Sequence, residues 1–281
     1  MADNNWTQTQ IRRFKELGIE PEDIQIDVST PKERNIQFQE IEKKHVRIEK
    51  EKLLHLLSQT QKTQLQLLKE KLEQTLLHHG FTGVSTPTII SGQALKKMSI
   101  DQDHPLSKQV FWLSEKQCLR PMLAPNLYSL MQDFSRLRQK PIRFFEIGSC
   151  FRKESQGARH SNEFTMLNLV EMGIPEHYRQ ERLEFLADTI MKVAGVTDYF
   201  FESEDSEVYG STLDVLACSG ELEVASGAMG PHRLDAAWGV TDTWVGLGFG
   251  VERLLMASRS DNSIGKWSKS LSYIDGICLN I

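Results

Sequence analysis

The spacing of apolar residues divides the chain into a helical N-terminal part and a strand-rich remainder. Over residues 31–80, isoleucine and leucine recur every three or four positions, which predicts two helices with a break near residues 58–63. A shorter helix is predicted over residues 7–18, where Ile11, Phe14 and Leu17 share one face. From Gly80 onward, short apolar runs alternate with turn residues, a pattern typical of strands.

The strand-rich part also contains predicted helices, at residues 125–137, 176–194 and 251–258. Strands are expected at residues 82–90, 109–113, 117–120, 142–152, 163–173, 199–204, 212–217, 221–229, 244–248 and 273–280. Because helices do not alternate strictly with strands, a doubly wound parallel sheet is disfavoured. The pattern predicts an α+β fold: a domain over residues 80–281, with a mostly antiparallel sheet flanked by helices, preceded by a helical extension over residues 1–79.

Composition and charge narrow the class of protein. The 281 residues are 40% hydrophobic and 25% charged, close to the averages for soluble globular proteins. Charges interrupt the apolar runs well before the roughly 18 residues of a membrane helix, and the N-terminus resembles neither a secretory signal nor a transit peptide. The net charge of −5 argues against non-specific coating of nucleic acid. We therefore expect a cytoplasmic protein with no membrane or DNA partner, and with its 4 cysteines reduced and buried.

Three separated segments carry candidate chemistry. The first, residues 80–90, leaves a helix through Gly80 and enters a strand that holds Pro87. Proline cannot donate to a strand ladder, so this strand suits a sheet edge or an interface. Taken alone, the segment is better explained as an ordinary helix-to-strand turn.

In the second segment, Arg152 ends an apolar strand and Phe164 opens the returning strand across a polar loop. A guanidinium group suits a phosphate and a phenyl ring can stack on a base, although such a loop can equally be a solvated tip. Strand alternation places Phe164, Met166, Asn168 and Val170 on one sheet face. An asparagine among apolar neighbours needs a hydrogen-bond partner, which a ligand could supply.

The third segment alternates glycines, at Gly246, Gly248 and Gly250, before a helix that carries Arg253. The alternation leaves one strand face bare, so that a flat ligand can lie against the backbone. Arg253 in the first helical turn would then meet a phosphate. The spacing is not that of a dinucleotide-binding fingerprint, because the third glycine falls one residue early. Close packing between helix and strand explains the glycines as well.

Together and in this order, the three segments resemble the signature motifs of class II aminoacyl-tRNA synthetases. Further stretches resemble the pyrrolysyl-tRNA synthetase family: residues 120–128, 145–155, 163–168, 208–210 and 270–276. The resemblance is strong over residues 80–281 and loose over the N-terminal helices. It implies a short form of that family, without a separate N-terminal tRNA-binding domain ahead of the catalytic one.

The resemblance implies ATP-dependent ligation of pyrrolysine, or a similar bulky N6-acylated lysine, to its cognate suppressor tRNA through an aminoacyl adenylate. It makes Arg152 and Arg253 the catalytic residues. The implied ATP-binding residues are Arg152, Glu154, His160, Phe164, Glu223, Ser226, Gly248 and Arg253. Mg²⁺ is implied at Glu223 and Ser226, although strand alternation puts these two on opposite faces unless the strand is bulged or ends between them.

The resemblance also implies a pocket for the amino acid. Its residues are Leu123, Ala124, Leu127, Tyr128, Met131, Asn168, Val170, Tyr209, Trp244 and Gly246. The side chains of this set are mostly large and apolar, which suits a bulky neutral substrate, with Asn168 facing an amide carbonyl and Tyr209 closing over the top. Met131 and Val170 replace the leucine and cysteine of longer family members. From spacing alone, the helical residues among them form an ordinary core stripe.

The partners implied by the resemblance are tRNA, the amino acid and a second copy of the chain in a homodimer. The helical extension over residues 1–79 is expected to contact tRNA. Two basic clusters could meet tRNA phosphates or face solvent, namely Arg12, Arg13 and Lys15, and Arg136, Arg138, Lys140 and Arg143. Two other functions stay open: a class II synthetase for phenylalanine or another large residue, and a non-catalytic tRNA-binding paralogue.

Overall fold

The computed structural model describes residues 6–20, 24, 30–101, 103–137, 139–153, 161–206 and 210–281. Its helices are α1 (Gln8–Glu16), α2 (Pro31–Ser58), α3 (Gln64–His78), α4 (Gly92–Lys97), α5 (Pro105–Gln109), α6 (Ala124–Phe134), α7 (Arg179–Ala194), α8 (Asp235–Trp238) and α9 (Val251–Ser258). Its strands are β1 (Thr82–Gly83), β2 (Ile89–Ser91), β3 (Gln117–Leu119), β4 (Ile142–Phe151), β5 (Glu163–Met172), β6 (Tyr199–Ser206), β7 (Gly210–Ala217), β8 (Leu222–Gly230), β9 (Trp244–Gly250), β10 (Tyr273–Ile274) and β11 (Ile277–Cys278).

The chain packs as two compact units, Met1–Thr63 with Ser270–Ile281, and Gln64–Lys269. This division differs in two respects from the expected boundary after residue 79. Helix α3 belongs to the larger unit because Leu68, Leu72 and Leu76 are buried in that unit's core. The last twelve residues, predicted to continue the catalytic domain, pack instead with the N-terminal helices.

The larger unit is built on a seven-stranded sheet with the order β1-β4-β5-β9-β8-β7-β6. Strand β1 pairs parallel with β4, and all the other neighbours are antiparallel. Strands β4 and β5 pair over their full lengths, from Ile142 opposite Met172 to Phe151 opposite Glu163. The predicted α+β class with a mostly antiparallel sheet is therefore confirmed.

The two faces of this sheet carry different cores. On one face, α3, α7 and α9 cover a core that includes Leu167, Val215, Val245, Leu247 and Phe249. The opposite face carries a second core, in which α6 packs with Val170, Ala228 and Trp244. Because strand residues alternate between faces, Gly246, Gly248 and Gly250 lie on this second face.

The smaller unit joins α1 and α2 to the C-terminal hairpin. Each helix begins with a capping box, at Thr7 and at Thr30, in which the threonine and the residue three positions later satisfy each other's backbone amides. Phe14 is fully buried among Trp6, Phe38 and Cys278. The main-chain N–H of Cys278 donates to the buried Glu49 carboxylate of α2 at 2.8 Å, which fixes the hairpin to the helix.

Three predicted strands are wrong in detail. Residues 82–90 form two short strands separated around Pro87, which cannot donate to a ladder. Residues 109–113 contain only a single bridge, between Trp112 and Cys118. Residues 273–280 form a tight hairpin, because Asp275 and Gly276 both adopt positive φ, the combination that an Asp-Gly turn favours.

In the described residues, no helix combines the length and apolar character needed to cross a membrane. All four cysteines are free thiols, as expected. Cys118, Cys150 and Cys278 are buried as predicted, and burial raises the pKa of Cys150 to about 12. Cys218 differs, because it lies in the turn after β7 with φ of 55° and is only half-buried.

Candidate active site

A cavity of about 380 Å³ opens on the sheet face that carries the alternating glycines. Strands β5, β8 and β9 form its floor and α6 forms one wall. The expected site residues that line it are Ala124, Leu127, Tyr128, Met131, Arg152, Phe164, Asn168, Val170, Glu223, Ser226, Trp244, Gly246, Gly248 and Arg253. Residues from three strands and two helices, distant in sequence, therefore meet in one cavity together with Arg152, which directly follows β4.

The glycine strand β9 makes room for a ligand at the cavity floor. A Cβ atom at Gly248 would lie 3.1 Å from the Asn168 side chain, and one at Gly246 would lie 3.2 Å from the Trp244 ring. Between them, Leu247 points to the opposite face and is buried in the helix-covered core. The strand is thus apolar beneath and bare above, as its alternating pattern predicts.

Arg152 is held in place at the mouth of the cavity. Its Nε donates to the Pro121 carbonyl at 2.9 Å, and its main-chain N–H donates to the Asn162 carbonyl at 3.0 Å. Its guanidinium carbon lies 5.2 Å from the centroid of the Phe164 ring. The cation and the aromatic ring predicted to bind a nucleotide are therefore adjacent.

The backbone that supports Arg152 is tied down by a buried ion pair. Arg120 Nη1 lies 2.7 Å from Glu146 Oε1, and both side chains are almost fully buried. Arg120 also donates to the Thr86 and Ser149 carbonyls, and the Glu146 carboxylate accepts from the Thr86 hydroxyl. Because Arg120 directly precedes Pro121, this network joins the segment around residue 86 to the peptide that holds Arg152.

Arg253 lies in the first turn of α9 and lines the cavity. Its Nη1 donates to the Glu223 carbonyl at 2.9 Å and lies 4.0 Å from the Glu223 carboxylate. The preceding residue, Glu252, is buried and accepts from the Thr165 main-chain N–H through both oxygens. Burial raises the pKa of Glu252. This buried carboxylate docks the start of α9 on β5, and so fixes the base of Arg253.

A β-bulge brings Glu223 and Ser226 to the same face of the sheet. Leu216 pairs with Glu223 and Val215 pairs with Ala225, so Val224 is the extra residue on β8. Val224 and Ala225 both point into the helix-covered core. Because two successive residues share that face, the residues that flank them, Glu223 and Ser226, share the opposite face. Both Glu223 and Ser226 consequently line the cavity, which meets the condition that the sequence imposed on a shared Mg²⁺ site.

The cavity also contains residues that the sequence analysis did not single out. Asp214 on β7 pairs with Ser226, is 6% exposed, and has one carboxylate oxygen buried without a hydrogen-bond partner. Leu106, Met122, Thr212 and Ala228 also line the cavity. Period-two alternation marks Asp214 as a polar residue in an apolar strand, but only the pairing of β7 with β8 places it beside Ser226.

The apolar end of the cavity is formed mainly by α6. Ala124, Leu127, Tyr128 and Met131 recur at helical spacing and face the cavity. Leu123 does not line the cavity, contrary to expectation; it is fully buried in the core beneath. Helical spacing alone would group Leu123 with Leu127 four residues later, so packing against other segments decides that Leu123 is buried in the core.

Asn168 sits on the cavity floor with its side-chain Oδ1 buried and without a hydrogen-bond partner. It lies in one row across the sheet with Gly248, Ser226 and Asp214. In this row, the polar side chains of Asn168 and Ser226 flank the bare position at Gly248. This is the arrangement in which a ligand could supply the missing hydrogen bond.

Lys269 braces the base of the hairpin that carries Arg152. Its Nζ lies 2.6 Å from the Ser149 hydroxyl and 2.5 Å from the Glu163 carboxylate. This contact lowers the pKa of Glu163. The bond links the C-terminal end of the larger unit to the strands that precede and follow the loop.

The other expected residues divide into two groups. Glu154, His160 and Tyr209, as well as Arg138, lie outside the residues that the structure describes. The basic clusters are largely paired with acids: Arg12 and Arg13 with Glu16, Arg136 with Asp133, Lys140 with Asp242, and Arg143 with Glu171. Ion pairing weakens the field that these clusters would present to a phosphate backbone.

Comparison with protein families gives a match over residues 47–268 to the class II core domain of tRNA synthetases. A crystal structure of pyrrolysyl-tRNA synthetase from Desulfitobacterium hafniense is 50% identical, with a TM-score of 0.90, and the match covers 99% of each chain. A second structure of a pyrrolysyl-tRNA synthetase from that organism is 49% identical, with a TM-score of 0.88, and the match covers 99% of this chain and 96% of that one.

More distant relatives share less. An O-phosphoserine–tRNA(Cys) ligase from Methanoculleus marisnigri is 25% identical in an alignment 215 residues long, which covers 70% of this chain and only 40% of that relative's length. A Giardia lamblia prolyl-tRNA synthetase in complex with prolyl-adenylate has a TM-score of 0.57 at 16% identity, covering 68% of this chain and 45% of that chain. The latter likeness concerns the fold alone.

Proposed function

The chain belongs to the pyrrolysyl-tRNA synthetases, within the class II aminoacyl-tRNA synthetases, and we propose that it ligates pyrrolysine or a similar bulky N6-acylated lysine to its cognate suppressor tRNA. One observation carries the substrate class. The cavity joins two arginines, Arg152 and Arg253, to an apolar end where the Asn168 side-chain oxygen is buried without a hydrogen-bond partner. Such a cavity suits a triphosphate at one end and a long neutral side chain with one amide at the other.

The apolar end favours a neutral side chain over a charged one. Its lining residues Leu127, Met131, Val170 and Trp244 offer no counter-charge to a second carboxylate, a phosphate or an ammonium group. O-Phosphoserine, the substrate named for the more distant relative, would place its phosphate there at a large desolvation cost. An acylated lysine buries methylene groups and leaves one amide for Asn168.

In the proposed first step, a carboxylate oxygen of the amino acid attacks the α-phosphorus of ATP, and the bond to pyrophosphate breaks. Arg152 contacts the α-phosphate and stabilises the negative charge that develops there. Phe164 stacks on the adenine, and Arg253 holds the nucleotide from the other side, with Gly248 beneath it. In the second step, a terminal tRNA hydroxyl attacks the acyl carbon, and AMP leaves.

The residues present fit a divalent cation beside the phosphates. Glu223 and Ser226 share a face because of the bulge, and the buried Asp214 oxygen adjoins Ser226, so the donor atoms are all oxygens, as Mg²⁺ prefers. In the described residues no group of three acidic, histidine or cysteine side chains could hold a metal alone. This agrees with an ion bound partly by substrate phosphates. When bound, Mg²⁺ would neutralise phosphate charge.

Two alternative functions remain in view. A synthetase for phenylalanine or another large residue would use the same apolar end. Its substrate side chain would offer no amide to the Asn168 side chain, whose oxygen would stay without a hydrogen-bond partner. A non-catalytic tRNA-binding paralogue would not need to keep Arg152 and Arg253 both fixed at the cavity. The geometry therefore favours activation of an amino acid.

The expected partners follow from the family. We propose a homodimer through the segment around β2 and β3, where Ile89, Trp112 and Leu113 leave large apolar surfaces exposed. We also propose that the smaller unit contacts tRNA and that the protein works in the cytoplasm, where aminoacylated tRNA is used.

Amino-acid-dependent exchange of pyrophosphate into ATP tests the proposal. Pyrrolysine and carbamate-capped lysines are offered beside phenylalanine, serine, O-phosphoserine and unmodified lysine. We expect exchange with the capped lysines alone. Exchange with phenylalanine would replace the proposed substrate, and no exchange with any amino acid would favour the non-catalytic paralogue.

Asp214→Asn should weaken the dependence on Mg²⁺ without unfolding the protein. We expect the Mg²⁺ concentration for half-maximal exchange to rise by about tenfold or more, because a carboxylate beside a metal site tunes its affinity by roughly 10–100-fold. Direct binding of Mn²⁺ in the presence of ATP, followed by electron paramagnetic resonance, should weaken in parallel. The exposed Asp133→Asn serves as the control. Unchanged Mn²⁺ affinity in Asp214→Asn would remove Asp214 from the metal site.

A further inference from the structure

A buried carboxylate lies behind the apolar end of the cavity and contacts two of its walls. Asp235 begins α8, is 6% exposed, and does not itself line the cavity. Both of its oxygens lie 3.1 Å from Trp244 Nε1. One of them also accepts from the His232 main-chain N–H at 2.7 Å. The Tyr128 side chain also acts on this carboxylate and lowers its pKa.

These bonds orient the two aromatic rings that meet at the end of the cavity. Tyr128 and Trp244 are both nearly fully buried and touch edge to face, with ring centroids 5.7 Å apart. Trp238, which ends α8, stacks on the other side of Tyr128 with centroids 5.6 Å apart and an interplanar angle of 17°. Trp238 and Trp244 thus hold the Tyr128 ring between a stacked and an edge-to-face contact.

The backbone is shaped to let the indole reach Asp235. Trp244 pairs with Gly230 on β8, and a Cβ atom at Gly230 would collide with Trp244 Nε1 and its neighbouring ring atoms. Any side chain at Gly230 would therefore displace the indole. The glycine and the carboxylate together select one orientation of the Trp244 ring.

Burying a carboxylate is costly, so its retention calls for a function. Desolvation raises the pKa of Asp235, and the bonds from His232, Trp244 and Tyr128 offset part of that effect. An apolar residue of similar size would avoid the desolvation cost but would leave the Trp244 N–H unsatisfied. What the carboxylate adds is a fixed orientation of two rings at once.

We propose that Asp235 is a positioning residue that sets the depth and shape of the amino-acid pocket by fixing the rings of Trp244 and Tyr128. It acts through those rings and does not touch the substrate. This inference deepens the proposed function and rests on it for the identity of the substrate. Its consequence is selective: binding of the amino-acid side chain depends on Asp235, and binding of ATP does not.

Steady-state exchange kinetics test the selectivity. Asp235→Asn keeps the size of the side chain but offers one acceptor oxygen in place of two. We expect KM for a carbamate-capped lysine to rise by about tenfold or more, the range for a hydrogen bond to a charged group, while KM for ATP changes by less than about twofold. The matched control is Asp242→Asn, which removes a carboxylate from the same segment but pairs with Lys140 at the surface. It should leave both KM values unchanged.

A double-mutant cycle separates positioning from general stability. In the background Trp244→Phe with Tyr128→Phe, the polar groups of both rings are absent, and Asp235→Asn should add less than about twofold to KM. If Asp235→Asn does not fold, Asp235→Glu, which displaces the carboxylate by one methylene group, should give the same amino-acid-specific rise in KM. An equal effect of Asp235→Asn in both backgrounds would overturn the proposal.

A substrate-free measurement distinguishes failure of this inference from failure of the proposed function. In the ¹⁵N spectrum, one of the 5 indole N–H resonances, assigned by its loss in Trp244→Phe, should shift in Asp235→Asn and stay in place in Asp242→Asn. A shift without exchange on any amino acid would refute the proposed function and retain the positioning role. Exchange on capped lysines with an unmoved resonance and an unchanged KM would refute the positioning role alone.

Discussion

Replacing Arg152 with alanine should reduce amino-acid-dependent pyrophosphate exchange by about 10²–10³-fold, because a preorganised donor to a developing negative charge contributes this much in other enzymes. The side chain is already fixed by the Pro121 carbonyl and stacked near Phe164, so no reorganisation is needed when the substrate binds. The loss should appear in kcat at saturating ATP and amino acid, because the charge on the α-phosphate grows in the transition state.

The control for this variant is Arg136→Ala, which removes an exposed arginine that pairs with Asp133 at the end of α6. Its exchange rate should stay within about twofold of the parent protein. Arg152→Lys keeps the charge but loses the planar fork, and it should recover only part of the activity. A loss of less than about tenfold in Arg152→Ala would assign the α-phosphate to another residue.

Glu146→Ala should lower the free energy of unfolding by about 3–5 kcal/mol, the cost of leaving one member of a buried ion pair without its partner. The Arg120 guanidinium is almost fully buried against this carboxylate at 2.7 Å. Urea unfolding followed by circular dichroism measures the change. Replacing Arg120 and Glu146 together with apolar residues of similar volume leaves no unpaired charge. We therefore expect Glu146→Ala to lower the free energy of unfolding by more than this double replacement does.

Asp133→Ala is the matched surface control, since it breaks an ion pair in which both side chains are exposed. Its effect should fall within about 1 kcal/mol. If Glu146→Ala cost no more than Asp133→Ala, the network that ties the segment around Thr86 to Arg152 would contribute little to the fold. The same variant should also lower exchange at temperatures where it stays folded, because Pro121 would lose its anchored neighbour.

Local periodicity predicted the elements well because each depends on residues close in sequence. Helix α9 begins and ends where the spacing placed it, and β4 and β5 differ from expectation by one residue each at one end. The break between α2 and α3 also falls within the predicted residues. Two of the three strands that failed, at residues 82–90 and 273–280, were interrupted by proline or by an Asp-Gly turn, which are themselves local signals.

The candidate site was predictable in part for the same reason. Alternating glycines leave one face of a strand bare wherever that strand lies in the fold. In the same way, strand alternation determines which side chains share a sheet face with Asn168. The family resemblance then connected Arg152 to Arg253 across about a hundred residues, although nothing in their spacing places them in one cavity. In the structure, Arg152 and Arg253 both line the cavity.

The sequence by itself determined the class of fold, the elements, the three motifs and the polarity of each strand face, because these follow from covalent order and side-chain periodicity. Tertiary structure alone decided the rest. Only strand pairing shows the bulge at Val224 that unites Glu223 with Ser226. Only packing across distant segments turns Leu123 away from the cavity and sets Asp235 behind Trp244. Such contacts join residues far apart in the chain, and no local pattern encodes which of them will meet.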